Sequence, residues 1–228
     1  MKTIGMLGGT AWPSTIDYYR YLNRLSEQKY GARHSARVIL YSIDYEPILK
    51  RYRSDWDAAV DLFEIEFDRL VGLRPDCIVV CCNTLHRVID ELGSALRCPV
   101  PLIHMVEETA REAVALGIDR VLLLGTQFTM ENGYYADLLE ASGVVVDIPA
   151  EQDRQIIQVF QTAAASGKSI EGAAEYFSDL LTRHGHNKAA VLACTELPQL
   201  FENVSTEMTI LDPLRIQCDA AFEFAIAE

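Results

Sequence analysis

The sequence predicts an α/β protein of two similar lobes with mainly parallel sheets, related by pseudo-two-fold symmetry, with the active site in the cleft between them. The first observation is a repeated pattern around two cysteines. An apolar run that leads into Cys82, Asn83 and Thr84 precedes a helical pattern, and a second run leads into Cys194 and Thr195 before a turn. The two cysteines are 194 − 82 = 112 positions apart, about half of the 228-residue chain.

The second observation is an earlier matching pair. KTIGMLGGT and RVLLLGT each form a strand pattern that ends in glycine and threonine before a helix, and Thr10 and Thr126 are 126 − 10 = 116 positions apart. Two pairs at nearly one offset indicate an internal duplication of a unit too large for a solenoid repeat. We therefore expect a first lobe over 1–100, joined by a closing helix over 212–228, and a second lobe over 101–211.

Composition limits the class of protein. Half of the residues are hydrophobic, which is enough for a substantial core, and no apolar run reaches the roughly 18 residues that a membrane span needs. The net charge of −13 argues against nucleic acid or an acidic membrane as a partner. Six cysteines without a framework spacing indicate reduced thiols, and no clustered Cys or His spacing suggests a metal site. We expect a cytoplasmic protein and a homodimer, although the sequence does not indicate the interface.

The first half alternates between strand and helix patterns. Strands are predicted over 2–7, 37–44, 76–81 and 101–104, and helices over 13–31, 57–73, 83–92 and 106–116. Ser14 with Asp17 has the spacing of a capping box at the start of the first helix. The Gly8–Gly9–Thr10 turn has backbone N–H groups that could hold an anion, although a plain turn explains it equally well.

The second half continues the alternation. Strands are predicted over 120–125, 144–148, 188–193 and 208–211, and helices over 128–141, 153–165, 170–184 and from Pro213 to the end. Asp212 before Pro213 is typical of a helix start. No linker rich in Pro, Gly or Ser divides the chain, so we expect the lobes to be closely joined.

Cys82 is the first candidate for chemistry. It follows a strand at its carboxyl end, where open α/β sheets bind ligands, and it precedes a helix whose dipole favours a thiolate. Because successive strand residues face opposite sides, only one of Cys81 and Cys82 is expected to point towards the ligand, and we predict Cys82. The alternative is a buried structural cysteine. Cys194, at the equivalent place in the repeat, favours the chemical interpretation of both.

Basic side chains are candidates for binding an acidic substrate. Lys50, Arg51 and Arg53 form the densest basic cluster in this acidic chain and follow a predicted strand, and Lys168 lies in a glycine-containing turn. A charge-assisted bond to a carboxylate is the functional interpretation, with Arg51 as the first choice. The alternative for all of them is a solvated surface charge.

Four motifs in order resemble the landmarks of the aspartate/glutamate racemase superfamily, and its aspartate racemase branch in particular. They are GMLGGTAWPST with DYYRYLN, CCNTLH, LLGTQFTMENGYY and ACTEL, and they span nearly the whole chain. The resemblance implies an isomerase with two α/β lobes and no cofactor, hence independent of pyridoxal phosphate (PLP). It also implies a pair of cysteines that act as acid and base on opposite faces of the substrate α-carbon.

The resemblance assigns roles residue by residue. Cys82 and Cys194 match the two catalytic cysteines. Asn83 and Thr84 match residues that bind substrate beside the first cysteine, and Thr195 matches the counterpart beside the second.

Other candidates come from the residues themselves. Thr10 and Thr126 are substrate-binding candidates at the repeated turns, and His86 and Glu196, a few residues after each cysteine, are candidates for tuning the pKa of the thiols. The alternative for His86 and Glu196 is a polar residue in the first turn of a helix.

The sequence also departs from the family pattern. Thr10 stands where relatives often carry methionine or serine, Pro13 where they carry glutamate, Tyr52 where they often present glutamine, and Ala193 where glycine is usual. Because Thr10 and Tyr52 are expected to line the substrate pocket, these changes bear on which side chain the pocket accepts.

The expected reaction is racemisation of an amino acid, aspartate or glutamate or a broader set. Removing a weakly acidic α-proton and returning one to the other face requires two groups, one thiolate and one thiol, and preorganised donors must stabilise the carbanion. A hydantoin racemase, a maleate isomerase or an arylmalonate-type decarboxylase would use a similar scaffold, but the decarboxylase usually keeps one cysteine. A non-catalytic amino-acid binding protein is a further alternative.

Overall fold

The computed structural model describes residues 1–52, 54–165 and 170–227, which form two compact units. The first comprises Met1–Met105 with Leu214–Glu228, and the second comprises Val106–Pro213. The sequence placed these boundaries at 100/101 and 211/212. In the described part of the chain, no helix is both long and apolar enough to cross a membrane.

Strands and helices alternate through the chain. The strands are β1 Ile4–Gly8, β2 Val38–Ser42, β3 Cys77–Val80, β4 Arg120–Gly125, β5 Val145–Asp147, β6 Ala189–Ala193 and β7 Thr209–Leu211. The α-helices are α1 Trp12–Tyr30, α2 Glu46–Tyr52, α3 Trp56–Gly72, α4 Asn83–Leu92, α5 Met105–Ala115, α6 Gln127–Glu131, α7 Tyr134–Ala141, α8 Glu151–Ala165, α9 Ala173–Arg183, α10 Leu197–Leu200 and α11 Pro213–Ile226.

Each unit contains one parallel sheet, and the strand orders match. The first sheet has the order β2-β1-β3 and the second β5-β4-β6-β7. A single parallel bridge between Ile78 and Leu102 lies beside β3 in the place that β7 holds beside β6. The predicted strand over 101–104 is therefore wrong. The segment pairs with β3 through two backbone hydrogen bonds at Ile78, and α5 begins at Met105 before the pairing can extend.

The core of the first unit gathers on the sheet. Its strands β1 and β3 are fully buried, and α11 adds a face of Leu214, Cys218, Ala221 and Phe222 to the same cluster. The end of the chain is therefore part of the first unit's core. In the second unit, β4 and β6 are buried in the same way beneath α8, α9 and α10.

The structure differs from the sequence prediction at the start of α1 and in the region predicted as one helix over 128–141. α1 begins at Trp12 with Ala11 as its N-cap, because Pro13 is tolerated in a first turn. Ser14 lies inside the helix and donates to the Ala11 carbonyl at 2.9 Å, so the predicted capping box is wrong. The predicted helix over 128–141 is two helices, separated where Gly133 adopts a φ of +81° that a continuous α-helix cannot contain.

The turn after β1 requires glycine at position 9. Gly9 has a φ of +93°, and a Cβ built there would lie 2.3 Å from the Ile43 carbonyl oxygen and 2.6 Å from the Ile43 nitrogen. Both atoms belong to the backbone that follows β2, so neither can move aside as a flexible side chain would. The close approach holds the turn that carries Thr10 against the end of β2.

We expect Gly9→Ala to lower the free energy of unfolding in urea by at least about 1 kcal/mol more than Gly31→Ala. Gly31 is the matched control, because its φ is +96° and no heavy atom lies within 4 Å of a Cβ built there. Gly31→Ala therefore reports the cost of the backbone conformation alone. Equal losses in the two variants would show that the contact with Ile43 relaxes freely.

Candidate active site

The first candidate thiol lies where β3 passes into α4. Cys82 is the N-cap residue of α4, with extended φ and ψ of −161° and 121°, and its side chain is partly exposed. Cys81 points into the core cluster and is 1 % exposed, and this burial raises the pKa of its thiol well above the ordinary value. Of the two adjacent cysteines, Cys82 is the one with an accessible side chain at a helix N-terminus.

Two tyrosines lie within electrostatic range of Cys82. Burial raises the pKa of Tyr45 strongly, with added contributions from the negative charges of Cys82 and Tyr52. Burial also raises the pKa of Tyr52 to about 12, although the nearby Arg87 opposes the rise. Both phenols therefore stay protonated at neutral pH near Cys82.

An aromatic and cationic group surrounds Tyr52. Its ring meets Trp56 edge-on with centroids 4.8 Å apart, and the Arg87 guanidinium carbon lies 4.5 Å from the Trp56 ring centroid. The Trp56 indole N–H donates to Glu91 at 2.7 Å. Arg87 is therefore held by a cation–π contact beside a tyrosine that is close to the thiol.

Polar groups from two elements converge near Cys82. The Thr10 hydroxyl donates to the Cys81 carbonyl at 3.2 Å, which ties the β1 turn to the end of β3. Asn83 and Thr84 occupy the first turn of α4 and are half-buried. The amide oxygen of Asn83 is buried and has no hydrogen-bond partner among the described residues. An unsatisfied buried acceptor costs about 1–3 kcal/mol, so this atom is suited to receive a ligand donor.

His86 is completely buried in the second turn of α4. Its Nδ1 lies 2.8 Å from the carbonyl oxygen of Cys82. Burial, together with the neighbouring His104, lowers the pKa of His86 to about 3, so the ring is neutral. The ring is directed at the main chain of Cys82, and its predicted role in tuning the thiol pKa stays a prediction.

The second candidate thiol has a carboxylate partner. Cys194 follows β6, and its thiol donates to Oε2 of Glu196 at 2.8 Å, while the Thr195 hydroxyl donates to the same oxygen at 3.1 Å. Thr126 follows β4 at the same edge of the sheet, because the register ends with Gly125 opposite Ala193. Its hydroxyl caps α6 by accepting from the Thr129 N–H at 3.0 Å.

The basic candidates for substrate binding differ in their contacts and in whether they lie within the described residues. Arg51 is exposed on the last turn of α2, and its guanidinium donates to the Pro47 carbonyl at 3.4 Å. Lys50 forms an exposed ion pair with Glu46 at 3.2 Å. Arg53 and Lys168 lie outside the described residues. Arg51 is next to Tyr52 in sequence, but Tyr52 is buried whereas Arg51 faces solvent.

Sequence reasoning missed Arg87, Tyr45 and Gln217. Tyr45 lies within electrostatic range of Cys82, and Arg87 acts on Tyr52, which also lies within that range. Gln217 contacts His86, which lies 131 positions away in the sequence. No local motif marks any of them. The available signal was a basic residue in the helix that follows the thiol, which is common in helices without any function. Within the described residues, no group of three His, Cys, Asp or Glu side chains is arranged to hold a metal ion.

The comparisons with known proteins identify the family. Residues 7–221 match the family model described as Asp/Glu/hydantoin racemase, a span that includes both candidate thiols. The chain belongs to the Asp/Glu/hydantoin racemase family. Its structure aligns over 100 % of both chains with a putative Asp/Glu racemase from Yersinia pestis, with a TM-score of 0.88 and 32 % identity.

Other members of the racemase family extend the comparison. An aspartate racemase homologue from Pyrococcus horikoshii OT3 aligns over 100 % of both chains, with a TM-score of 0.87 and 25 % identity. The broad specificity amino-acid racemase RacX of Bacillus subtilis (strain 168) is 26 % identical over 216 residues, which cover 92 % of each chain. The α/β fold with two parallel sheets is thus the fold of this racemase family.

Proposed function

We propose that this protein interconverts the L and D forms of an amino acid without PLP, with Cys82 and Cys194 as the two acid–base groups. The observation that carries the proposal is the repeated placement of a thiol. In each unit a candidate thiol follows the equivalent strand, with Cys82 two residues after β3 and Cys194 one residue after β6, at the edge where the neighbouring β1 or β4 ends in a glycine–threonine turn. A family match that spans both positions supports it.

The surroundings of the two thiols favour different protonation states. Cys82 stands at the N-terminus of a ten-residue helix, where unpaired N–H groups and the helix dipole favour a thiolate. Cys194 donates its proton to a carboxylate, which requires the thiol form. A two-base racemase needs one thiolate and one thiol at the start of each turnover. In the proposed mechanism, Cys82 removes the α-proton from one hand of the substrate and Cys194 donates to the other face.

The carbanion intermediate requires donors at the substrate carboxylate. In the proposal, backbone N–H groups of the first turn of α4 and the hydroxyls of Thr84 and Thr195 serve there. The buried Asn83 amide oxygen is suited to accept from the substrate ammonium, because it lacks a partner among the described residues. Each turnover leaves Cys82 as a thiol and Cys194 as a thiolate, so for the opposite hand Cys194 removes the α-proton and Cys82 donates. The Glu196 carboxylate beside Cys194 influences how readily that thiolate forms.

Replacing either thiol tests the reaction itself. We expect Cys82→Ala and Cys194→Ala each to lower racemisation by about 10²–10⁴-fold, the usual contribution of a general acid or base. Chiral chromatography and α-proton exchange in D₂O are the measurements. Cys98→Ala, at another partly exposed cysteine, is the matched control and should racemise normally. An amino-acid binding protein would exchange no α-proton, and substantial turnover by either variant contradicts the two-base mechanism.

Glu196→Gln tests the proton partner of Cys194. Without the neighbouring negative charge, the Cys194 thiolate forms at lower pH, so the alkaline limb of the kcat/KM profile should move to lower pH. We also expect kcat/KM at the optimum to fall by about 10-fold or more. Glu202→Gln, which removes an equal charge from the exposed turn after α10, is the control. An unchanged pH profile in Glu196→Gln would show that the carboxylate does not act on Cys194.

For the substrate, we propose aspartate or glutamate, with the side-chain carboxylate paired to Arg51 or Lys168. Burying that carboxylate unpaired would cost several kcal/mol, whereas a cation adds charge-assisted hydrogen bonds. A broader or neutral substrate range is the second candidate. Support for it comes from the aromatic side chains of Tyr45 and Tyr52 near Cys82, with Trp56 packed on Tyr52. Further support comes from the similarity to a broad specificity racemase over 92 % of each chain.

A panel of L- and D-amino acids, with Arg51→Ala and its neighbour Lys50→Ala, separates the two candidates. If Arg51 binds the side-chain carboxylate, Arg51→Ala should raise KM for aspartate or glutamate about tenfold, equivalent to ~1.4 kcal/mol, and leave neutral substrates unchanged. Lys50→Ala is the matched control on the same helix. A wild type that prefers uncharged amino acids, or unchanged acidic turnover in both Arg51→Ala and Lys168→Ala, contradicts the acidic-substrate proposal.

A further inference from the structure

A chain of buried hydrogen bonds lies behind Cys82 in the first unit. The Tyr18 hydroxyl donates to Oε1 of Gln217 at 2.7 Å, and Nε2 of Gln217 donates to the Ile103 carbonyl at 2.7 Å. The same Nε2 lies 3.3 Å from Nε2 of His86, whose Nδ1 lies 2.8 Å from the Cys82 carbonyl. Tyr18, His86 and Gln217 are all 0 % exposed. The chain therefore connects α1 and α11 to the main chain of the candidate catalytic residue.

The partners determine the direction of every hydrogen bond. The Ile103 carbonyl can only accept, so the Gln217 amide must present its NH₂ group there and its oxygen to Tyr18. The second hydrogen of that NH₂ group then faces Nε2 of His86, which must accept it. At the other end the Cys82 carbonyl can only accept, so Nδ1 of His86 carries the proton. Both ends thus require the same neutral tautomer, with the proton on Nδ1.

The surroundings of His86 keep this tautomer neutral. His104 meets the His86 ring edge-on at 4.5 Å, and Nε2 of His104 lies 3.4 Å from Asp90. Full burial lowers the pKa of His86 to about 3, with a further contribution from His104. The ring therefore remains a fixed donor to the Cys82 carbonyl across the neutral pH range.

A donor to the Cys82 carbonyl can fix the orientation of the Cys82 peptide group. Cys82 is the N-cap of α4, and its own side chain makes no capping hydrogen bond. Its carbonyl begins the helix, so the orientation of this peptide sets where the thiol and the unpaired N–H groups of the first turn lie. A shift of about 1 Å in a reacting group can cost about 10²-fold in rate.

We propose that Gln217 and His86 are positioning residues for Cys82. The amide of Gln217 holds His86 in its Nδ1–H form, and His86 holds the first turn of α4, so that the last helix of the chain completes the support of the thiol. The catalytic consequence rests on the proposed racemase function, but the tautomer and the reactivity of the thiol do not.

The tautomer is tested by ¹⁵N NMR of the histidine rings. We expect wild-type His86 to show a protonated Nδ1 and an unprotonated Nε2, unchanged from pH 5 to 8. In Gln217→Glu, the new carboxylate can only accept, so it should draw a proton to Nε2 and change the ring nitrogen shifts. A wild-type His86 with the proton on Nε2, or one that titrates between pH 5 and 8, overturns the proposal.

Thiol reactivity gives a second readout that does not need racemase activity. We expect Gln217→Leu to slow alkylation of Cys82 by iodoacetamide, followed by mass spectrometry, at least threefold, and to leave Cys194 unchanged. Gln161→Leu is the matched control, because Gln161 is also a buried amide, 3 % exposed, but lies in the second unit. Thermal unfolding of each variant establishes that the comparison is made on folded protein. Equal Cys82 alkylation in Gln217→Leu and wild type overturns the proposal.

Steady-state kinetics test whether the hydrogen bond from His86 to the Cys82 carbonyl matters for the reaction. We expect His86→Leu to lower kcat about 10²-fold with little change in KM, whereas His86→Asn, whose amide can still donate to the Cys82 carbonyl, recovers at least tenfold of that loss. A rise in KM without a fall in kcat in His86→Leu contradicts a positioning role. So does a His86→Asn variant with no recovery of kcat. A wild type that racemises nothing would refute the proposed function while the NMR and alkylation results still decide this proposal.

Discussion

The parallel pairing of a central strand with the strand that carries the thiol is the constraint on which both candidate thiols depend. β1 pairs with β3 up to Leu7 and Val80, and β4 pairs with β6 up to Gly125 and Ala193. Because parallel strands end at the same edge, a glycine–threonine turn and a cysteine come together in each unit without any contact between their side chains being required. Fully buried strands hold this register, since a slip of one residue would exchange the faces of every side chain.

Local sequence can predict which reactive side chains lie at the carboxyl ends of the strands. The positions of Cys82 and Cys194 follow from an apolar run and the turn after it, and the sequence repeat predicts that the two are equivalent. Single-residue details are less accessible: Ser14 has the spacing of a cap, yet Pro13 is accepted within the first turn of α1 and the helix starts earlier. The contact between Gln217 and His86 joins residues 131 positions apart, so only the tertiary fold brings them together.

Different local environments for two equivalent cysteines follow from one difference in secondary structure. The ten-residue α4 begins directly after Cys82. In contrast, two polar residues, Thr195 and Glu196, lie between Cys194 and the four-residue α10. The first arrangement places the thiol at a helix N-terminus, and the second places a carboxylate within hydrogen-bond distance of the thiol. In the proposed two-base reaction, these surroundings would favour a thiolate at Cys82 and a thiol at Cys194, the two forms that one turnover needs at the same moment.

Arg87 and Arg51 differ in their surroundings, because Arg87 packs on Trp56 whereas Arg51 is exposed to solvent on α2. Arg87 is held over Trp56 and opposes the rise in the pKa of Tyr52 that burial causes, so its positive charge contributes to the field around Tyr52 and Cys82. Arg51 is exposed, and its guanidinium donates to the Pro47 carbonyl of its own helix at 3.4 Å, a bond that a substrate carboxylate could replace at little cost. An acidic substrate would therefore gain more from Arg51, while Arg87 would stabilise negative charge that develops beside Cys82 whatever the side chain of the substrate.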